Sequence, residues 1–196
     1  MSERANHEGT ERQKQGISSF DRIDTKIVFK ELDLKKGEVL FDIGCGAGDY
    51  SIKAAELVGD SGFVYALDQW EEIALKLNEK AASLGIKNIK TLTSNIIEVL
   101  PVESDSCDVC LIVMVLHGID LSVHGEALFN EIHRILKPSG RLAIIEIKKE
   151  ETSFGPPLNI RLSADDFENY LKNYSFEKIS VTDLESCYLI QFKANK

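Results

Sequence analysis

Residues 39–58 read Val-Leu-Phe-Asp-Ile-Gly-Cys-Gly-Ala-Gly-Asp-Tyr-Ser-Ile-Lys-Ala-Ala-Glu-Leu-Val. An apolar run, Val39-Leu40-Phe41, enters the loop Asp42-Ile43-Gly44-Cys45-Gly46-Ala47-Gly48, and residues 50–58 carry a helical pattern. The glycines permit a sharp turn and a close backbone approach, and the following helix offers the unsatisfied N–H groups of its first turn. A strand, a Gly-x-Gly-x-Gly loop and a helix in that order predict a βα unit with a ligand at the loop. The plainer alternative is a tight turn that holds nothing.

The same alternation continues downstream. Phe63–Leu67 predicts a second strand ending at Asp68, followed by a helix over 71–84 that stops at Gly85. Ile89–Leu92 predicts a third strand. Val109–Val115 predicts a fourth, apolar enough to be covered on both faces. A helix over 123–136 puts Ala127, Leu128, Ile132, Ile135 and Leu136 on one side and stops at Lys137-Pro138-Ser139-Gly140, before a fifth strand at Leu142–Ile147. The last third predicts a helix over 163–174, with Ser163 as N-cap and acids at 165 and 166 in its first turn. Phe176–Val181 and Tyr188–Phe192 then form an antiparallel hairpin through Asp183-Leu184-Glu185-Ser186. Upstream, Phe20–Leu34 has helical spacing and ends before Lys35-Lys36-Gly37. These elements predict an α/β fold: a doubly wound, seven-stranded, mostly parallel sheet closed by a C-terminal antiparallel hairpin.

Residues 1–16 are almost wholly polar, so burial cannot offset the entropy of ordering them. The expected organisation is a flexible segment 1–19 followed by one domain, 20–196, whose N-terminal helix serves as a partial lid. With 196 residues and 43% hydrophobic content, the chain can bury a full core without disulfides or metal. Its 23 Lys+Arg against 32 Asp+Glu give a net charge of −9, which disfavours a nucleic-acid partner. No stretch approaches 18 apolar residues, so no membrane insertion is expected, and the polar start Met1–His7 lacks a signal-peptide core, which predicts a cytoplasmic protein. Cys107 and Cys110 form a Cys-x-x-Cys, but on a strand positions three apart face opposite sides, which argues against a metal or redox pair. A homodimer through an edge strand or surface helix is compatible with the sequence.

The acids around the loop discriminate between ligands. Counted from Gly44, a dinucleotide fingerprint needs Gly or Ala where Asp49 stands, and a pyrophosphate would face Asp42 and Asp49. A ligand carrying an ammonium group and no phosphate is better matched, and S-adenosyl-L-methionine is one. Asp68, at the carboxyl end of the second strand, suits a ribose diol; it could also cap the next helix. Gln69, Trp70 and Ile73 follow it, with Trp70 either covering an adenine face or closing the core.

Over residues 20–182 the pattern resembles the class I S-adenosylmethionine-dependent methyltransferases, in particular the small-molecule branch of ubiquinone and menaquinone biosynthesis. The resemblance rests on the loop 42–48, on Asp68, on Ser104–Val109, on Val115-Leu116-His117 and on Ile132–Leu142. It implies a Rossmann-like methyltransferase fold, S-adenosyl-L-methionine as cofactor and a small-molecule methyl acceptor. It implies cofactor-binding roles for Asp42, Gly44, Cys45, Gly46, Gly48, Asp68, Gln69, Asn95 and Ile96, where Asn95 stands in place of the family's more frequent Asp. No metal is implied. His117 is the candidate catalytic residue, able to take a proton near neutral pH or to serve the loop structurally. Glu146, Lys148 and the segment 152–162, with Phe154-Gly155-Pro156-Pro157 and Arg161, are expected to shape the acceptor side. An NAD(P)-dependent oxidoreductase and a non-catalytic S-adenosylmethionine-binding protein are the alternatives.

Overall fold

The computed structural model describes residues 19–152 and 154–196; the expected flexible segment falls almost wholly outside them. Seven strands form one sheet in the order β3-β2-β1-β4-β5-β7-β6. They are β1 (Val39–Ile43), β2 (Phe63–Asp68), β3 (Ile89–Thr93), β4 (Cys107–Val113), β5 (Leu136–Ile147), β6 (Phe176–Leu184) and β7 (Cys187–Ala194). β1 to β5 are parallel, whereas β7 runs antiparallel to both β5 and β6. Among the described residues five α-helices flank the sheet: α1 (Thr25–Leu32), α2 (Asp49–Val58), α3 (Glu71–Ser83), α4 (Leu121–Ile135) and α5 (Ala164–Leu171). Among the described residues no helix is long and apolar enough to cross a membrane.

Alternation along the strands sorts the core into two layers. Leu40, Val109, Leu111 and Ala143 pack against α1 and α2, while Phe41, Ile43, Ile112 and Ile144 pack against α4 and α5. A third cluster joins Ile52 of α2 and Ala66 of β2 to Ile73 and Leu77 of α3. Between β3 and β4 the chain has no helix. That loop is held by Arg134, which donates to the carbonyls of Leu100 and Val102 at 3.0 Å each, and by Glu131, which accepts from the Leu100 N–H at 2.9 Å.

Four expectations need correction. The helix expected over 20–34 is split into a 3₁₀ turn, Phe20–Arg22, and α1, because the Asp24 side chain accepts from the N–H groups of Lys26 and Ile27 and caps a new start. α5 ends at Leu171 and passes into a 3₁₀ turn, Lys172–Tyr174, which Ser175 ends in a left-handed conformation. Lys137–Gly140 lies within β5, with Ser139 at φ 64° absorbing the bend that the sequence suggested as a stop. Finally, the pairing is irregular between Cys107 and Val109, where β4 advances from Cys107 to Val109 while β5 advances from Leu136 to Arg141, and across this break Cys107 and Cys110 both join the layer under α4. Both cysteines are free and fully buried.

Candidate functional site

A cavity of about 610 Å³ opens at the carboxyl ends of β1, β2 and β4, where parallel α/β sheets bind ligands. Of the ten candidate residues, Asp42, Gly44, Cys45, Gly46, Asp68, Gln69, Asn95, Ile96 and His117 line it, and Gly48 does not. Asp49 also stays outside. Its carboxylate pairs with Lys80 at 2.5 Å, so it contributes no unpaired charge to the site.

The glycines serve three different physical needs. Gly44 sits at φ +77°, and a Cβ there would lie 2.5 Å from Cγ2 of Val115. Gly48 sits at φ +76°, where a Cβ would lie 2.2 Å from Cδ1 of Leu77 in α3. A Cβ on Gly46 would meet nothing, because that residue borders the open cavity. Most loop N–H groups are already used: Gly44 and Cys45 both donate to the Leu67 carbonyl at 2.8 and 2.9 Å, and Gly48 donates to the Cys45 carbonyl at 2.9 Å. The loop thus supplies shape and room more than free donors. Gly48→Ala combines a disfavoured φ with a clash on α3, and we expect it to cost about 2 kcal/mol in a urea melt. Unchanged stability would show that Leu77 simply moves aside.

Two buried acids line one wall of the cavity. Asp68 accepts from the Gly46 N–H through Oδ2 and from the Trp70 N–H through Oδ1, each at 3.1 Å. These bonds tie the glycine loop to the β2 exit and leave further lone pairs for a ligand; α3 takes no side-chain cap from it. Burial pushes the Asp68 carboxyl above its usual range. Asp42 is 2% exposed and accepts from Ser51 Oγ at 2.5 Å. Burial, helped by the neighbouring Asp68 charge, pushes Asp42 up to about 7 against the opposing Ser51 hydrogen bond. The Cys45 thiol is raised far above its ordinary range by burial, and its side chain packs with Ile52, Ala66 and Leu77; it is no nucleophile.

The Asp42 shift has a thermodynamic consequence. Between about pH 4 and pH 7 the folded chain keeps a proton on Asp42 that the unfolded chain has released. Its contribution to stability therefore falls as pH rises through that window, by on the order of 4 kcal/mol in all, and levels off above pH 7. The stability difference between Asp42→Asn and the native chain, measured in urea from pH 4 to 8, should grow in favour of the variant with rising pH. A flat difference would mean that Asp42 is not protonated in the folded state.

On the other side of the cavity, His117 Nδ1 lies 2.8 Å from Oε2 of Glu146. Glu146 is buried and does not line the cavity; it stands behind the ring. Asp120 caps α4, accepting from Ser122 N–H at 3.0 Å, and with His124 it borders the same end of the cavity. Asn95 lines the wall, with Oδ1 already accepting from the Ile97 N–H at 3.2 Å, so a ligand donor would have to share that oxygen. The expected acceptor-side region does not reach the cavity: Lys148 pairs with Asp183 at 2.7 Å, and Arg161 is buried among backbone carbonyls. Tyr50 and Met114 line the cavity although no motif marked them. Phe20 packs edge-on to Tyr50 at 5.0 Å, placing the 3₁₀ turn beside the opening, and Met114 holds φ 56° at the exit of β4.

The residues fit S-adenosyl-L-methionine on two observations. A pair of buried acids without a cationic side chain among their hydrogen-bond partners in the described residues suits an ammonium group and a diol. The missing Cβ of Gly46 leaves the space a nucleoside would need. Comparison with known proteins agrees. A family model described as "Methyltransferase domain" matches residues 34–183. The chain is 34% identical over 167 residues, 80% of its length, to demethylmenaquinone methyltransferase of Lactococcus lactis subsp. lactis, covering 62% of that protein. It is 33% identical over 131 residues, 66% of its length, to the enzyme of the same name from Geobacillus stearothermophilus, covering 53% of it. It therefore spans little more than half the length of such curated relatives. The crystal structure of a SAM-dependent methyltransferase from Aquifex aeolicus superposes with a TM-score of 0.83 at 28% identity, over 94% of this chain and 97% of that one. The order of strands, the loop at the β1 exit and these matches converge on one conclusion: the chain belongs to the methyltransferase-domain family, in the class I S-adenosylmethionine-dependent branch that its sequence resembles.

Proposed function

We propose that this protein transfers a methyl group from S-adenosyl-L-methionine to a small-molecule acceptor in the cavity at the β1, β2 and β4 exits. The observation that carries the reading is the division of that cavity between buried acids on one wall and the His117 imidazole on the other. When bound, S-adenosyl-L-methionine supplies a methyl carbon already activated by a positive sulfur. Asp68 would accept from the ribose hydroxyls, Asp42 would face the ammonium group, and Gly46 would leave room for the nucleoside. Asn95, Ile96 and Trp70 would border the adenine. His117 would orient the acceptor and take its proton where one must leave. Tyr50 and Phe20 would narrow the entrance, so that alignment and exclusion of water do most of the catalytic work.

A cavity of this volume, bounded on the acceptor side by the imidazoles of His117 and His124, supports a small acceptor, and the charge of −9 supports it over a nucleic acid. The four cysteines, all free and buried, support a reducing compartment such as the cytoplasm.

The test is release of S-adenosylhomocysteine from S-adenosylmethionine in the presence of an acceptor panel that includes demethylmenaquinol analogues. Acceptor-dependent release is expected. Tight binding of both sulfur nucleotides with no release across a broad panel would favour the non-catalytic alternative, and binding of NADH alone would overturn the reading.

A further inference from the structure

We infer that Glu146 is a positioning residue that sets which nitrogen of His117 faces the acceptor. This rests on the methyl-transfer reading for its role in turnover, but the geometry stands by itself. Glu146 lies on β5 one residue beyond Ile145, which pairs with Val113 at the end of β4. Because Leu142 and Ile144 face the α4 layer, Glu146 faces that side too, under the turn by which the chain leaves β4. Its carboxylate meets three donors there. Oε1 accepts from the N–H of Leu116 at 2.8 Å and more weakly from that of His117 at 3.4 Å, while Oε2 meets His117 Nδ1 at 2.8 Å. One buried side chain thus fixes both the backbone of the turn and the ring it carries. The Glu146 side chain is 2% exposed and that of His117 23%, so the acid is sealed behind the imidazole.

A carboxylate only accepts hydrogen bonds, so it places the neutral ring's proton on Nδ1 and leaves the Nε2 lone pair unprotonated. That is the form a proton acceptor needs. An acceptor X–H bond can then break with its electron pair remaining on X, while the new N–H bond forms at Nε2. The resulting imidazolium is held against the Glu146 carboxylate. Without Glu146 the ring has no fixed tautomer, and the wrong one presents a donor to the acceptor.

The decisive variant is Glu146→Gln, which keeps the shape and an oxygen for the Leu116 N–H but presents NH₂ to Nδ1. ¹⁵N-detected NMR of the native protein without ligand should show neutral His117 protonated at Nδ1, and the variant should show it protonated at Nε2. In turnover, kcat should fall about 100-fold, with acceptor KM and S-adenosylhomocysteine affinity within a factor of two of native. Native His117 protonated at Nε2, or a variant with unchanged tautomer or unchanged kcat, would overturn the inference. If the variant does not fold, the native tautomer decides alone. Tautomer inversion in a protein that turns over no acceptor would count against methyl transfer and still support the role of Glu146.

Discussion

Replacing Asp68 by Ala should weaken binding of S-adenosylhomocysteine at least 100-fold, about 3 kcal/mol, in calorimetric titration. Asp68 has two jobs at one carboxylate. It holds the loop through the Gly46 N–H and the β2 exit through the Trp70 N–H, and in the proposed complex its remaining lone pairs receive the ribose hydroxyls. Hydrogen bonds to a charged acceptor contribute about 1.5–3 kcal/mol each, so losing two ligand bonds and the loop anchor accounts for the expected effect. Asp49→Ala is the matched control. It removes an acid at the start of α2 that pairs with Lys80 outside the cavity, and its affinity should stay native. Equal losses in both variants would mean that net negative charge, not Asp68, draws the ligand.

Asp68 was legible from sequence because it depends on local facts only: an apolar run, its carboxyl end and the distance to a glycine loop. Gly44, Gly46 and Gly48 were legible as a group for the same reason. Their separate purposes were not, since Gly44 answers to Val115 and Gly48 to Leu77, residues 71 and 29 positions away that meet them only across the fold. The same limit explains the acceptor side. Glu146 looked like a pocket residue beside Lys148, but strand register turned it toward the back of His117. The misreading of Cys107 and Cys110 has a different origin. Strict alternation assigns them to opposite faces, but the pairing breaks between Cys107 and Val109, and the extra residues lie on the partner strand at Lys137-Pro138-Ser139-Gly140, far from the cysteines in sequence. The helix expected over 20–34 failed at Asp24, a cap hidden inside an apolar pattern that continues in phase across it.

Arg161 carries the other large expected effect, on stability rather than binding. Read from sequence as a rim residue, it is 6% exposed, and its guanidinium gathers a loop around itself. Nε donates to the Pro156 carbonyl at 2.8 Å. Nη1 donates to the carbonyls of Lys148 and Glu150, at 3.1 and 2.6 Å, and to Thr152 Oγ1 at 2.8 Å; Nη2 reaches the Phe154 carbonyl at 3.4 Å. Its hydrogen-bond partners among the described residues include no carboxylate, so the buried charge is balanced by oriented carbonyl dipoles. Taking the cation away leaves those part-buried carbonyls without their donor, each at a cost of about 1–3 kcal/mol unless water replaces it. Arg161→Met should therefore destabilise the chain by about 3–5 kcal/mol and make 148–160 the first site of limited proteolysis. Arg161→Lys keeps the charge but has one nitrogen where the fork has three, and should recover less than half of that loss. Because Phe154 packs in the α1 layer and under the Arg22 guanidinium at 5.4 Å, loosening this loop should also free the Phe20–Arg22 turn beside the cavity. A Met variant as stable and as protease-resistant as the native chain would show that the loop is held by its apolar contacts and its prolines instead.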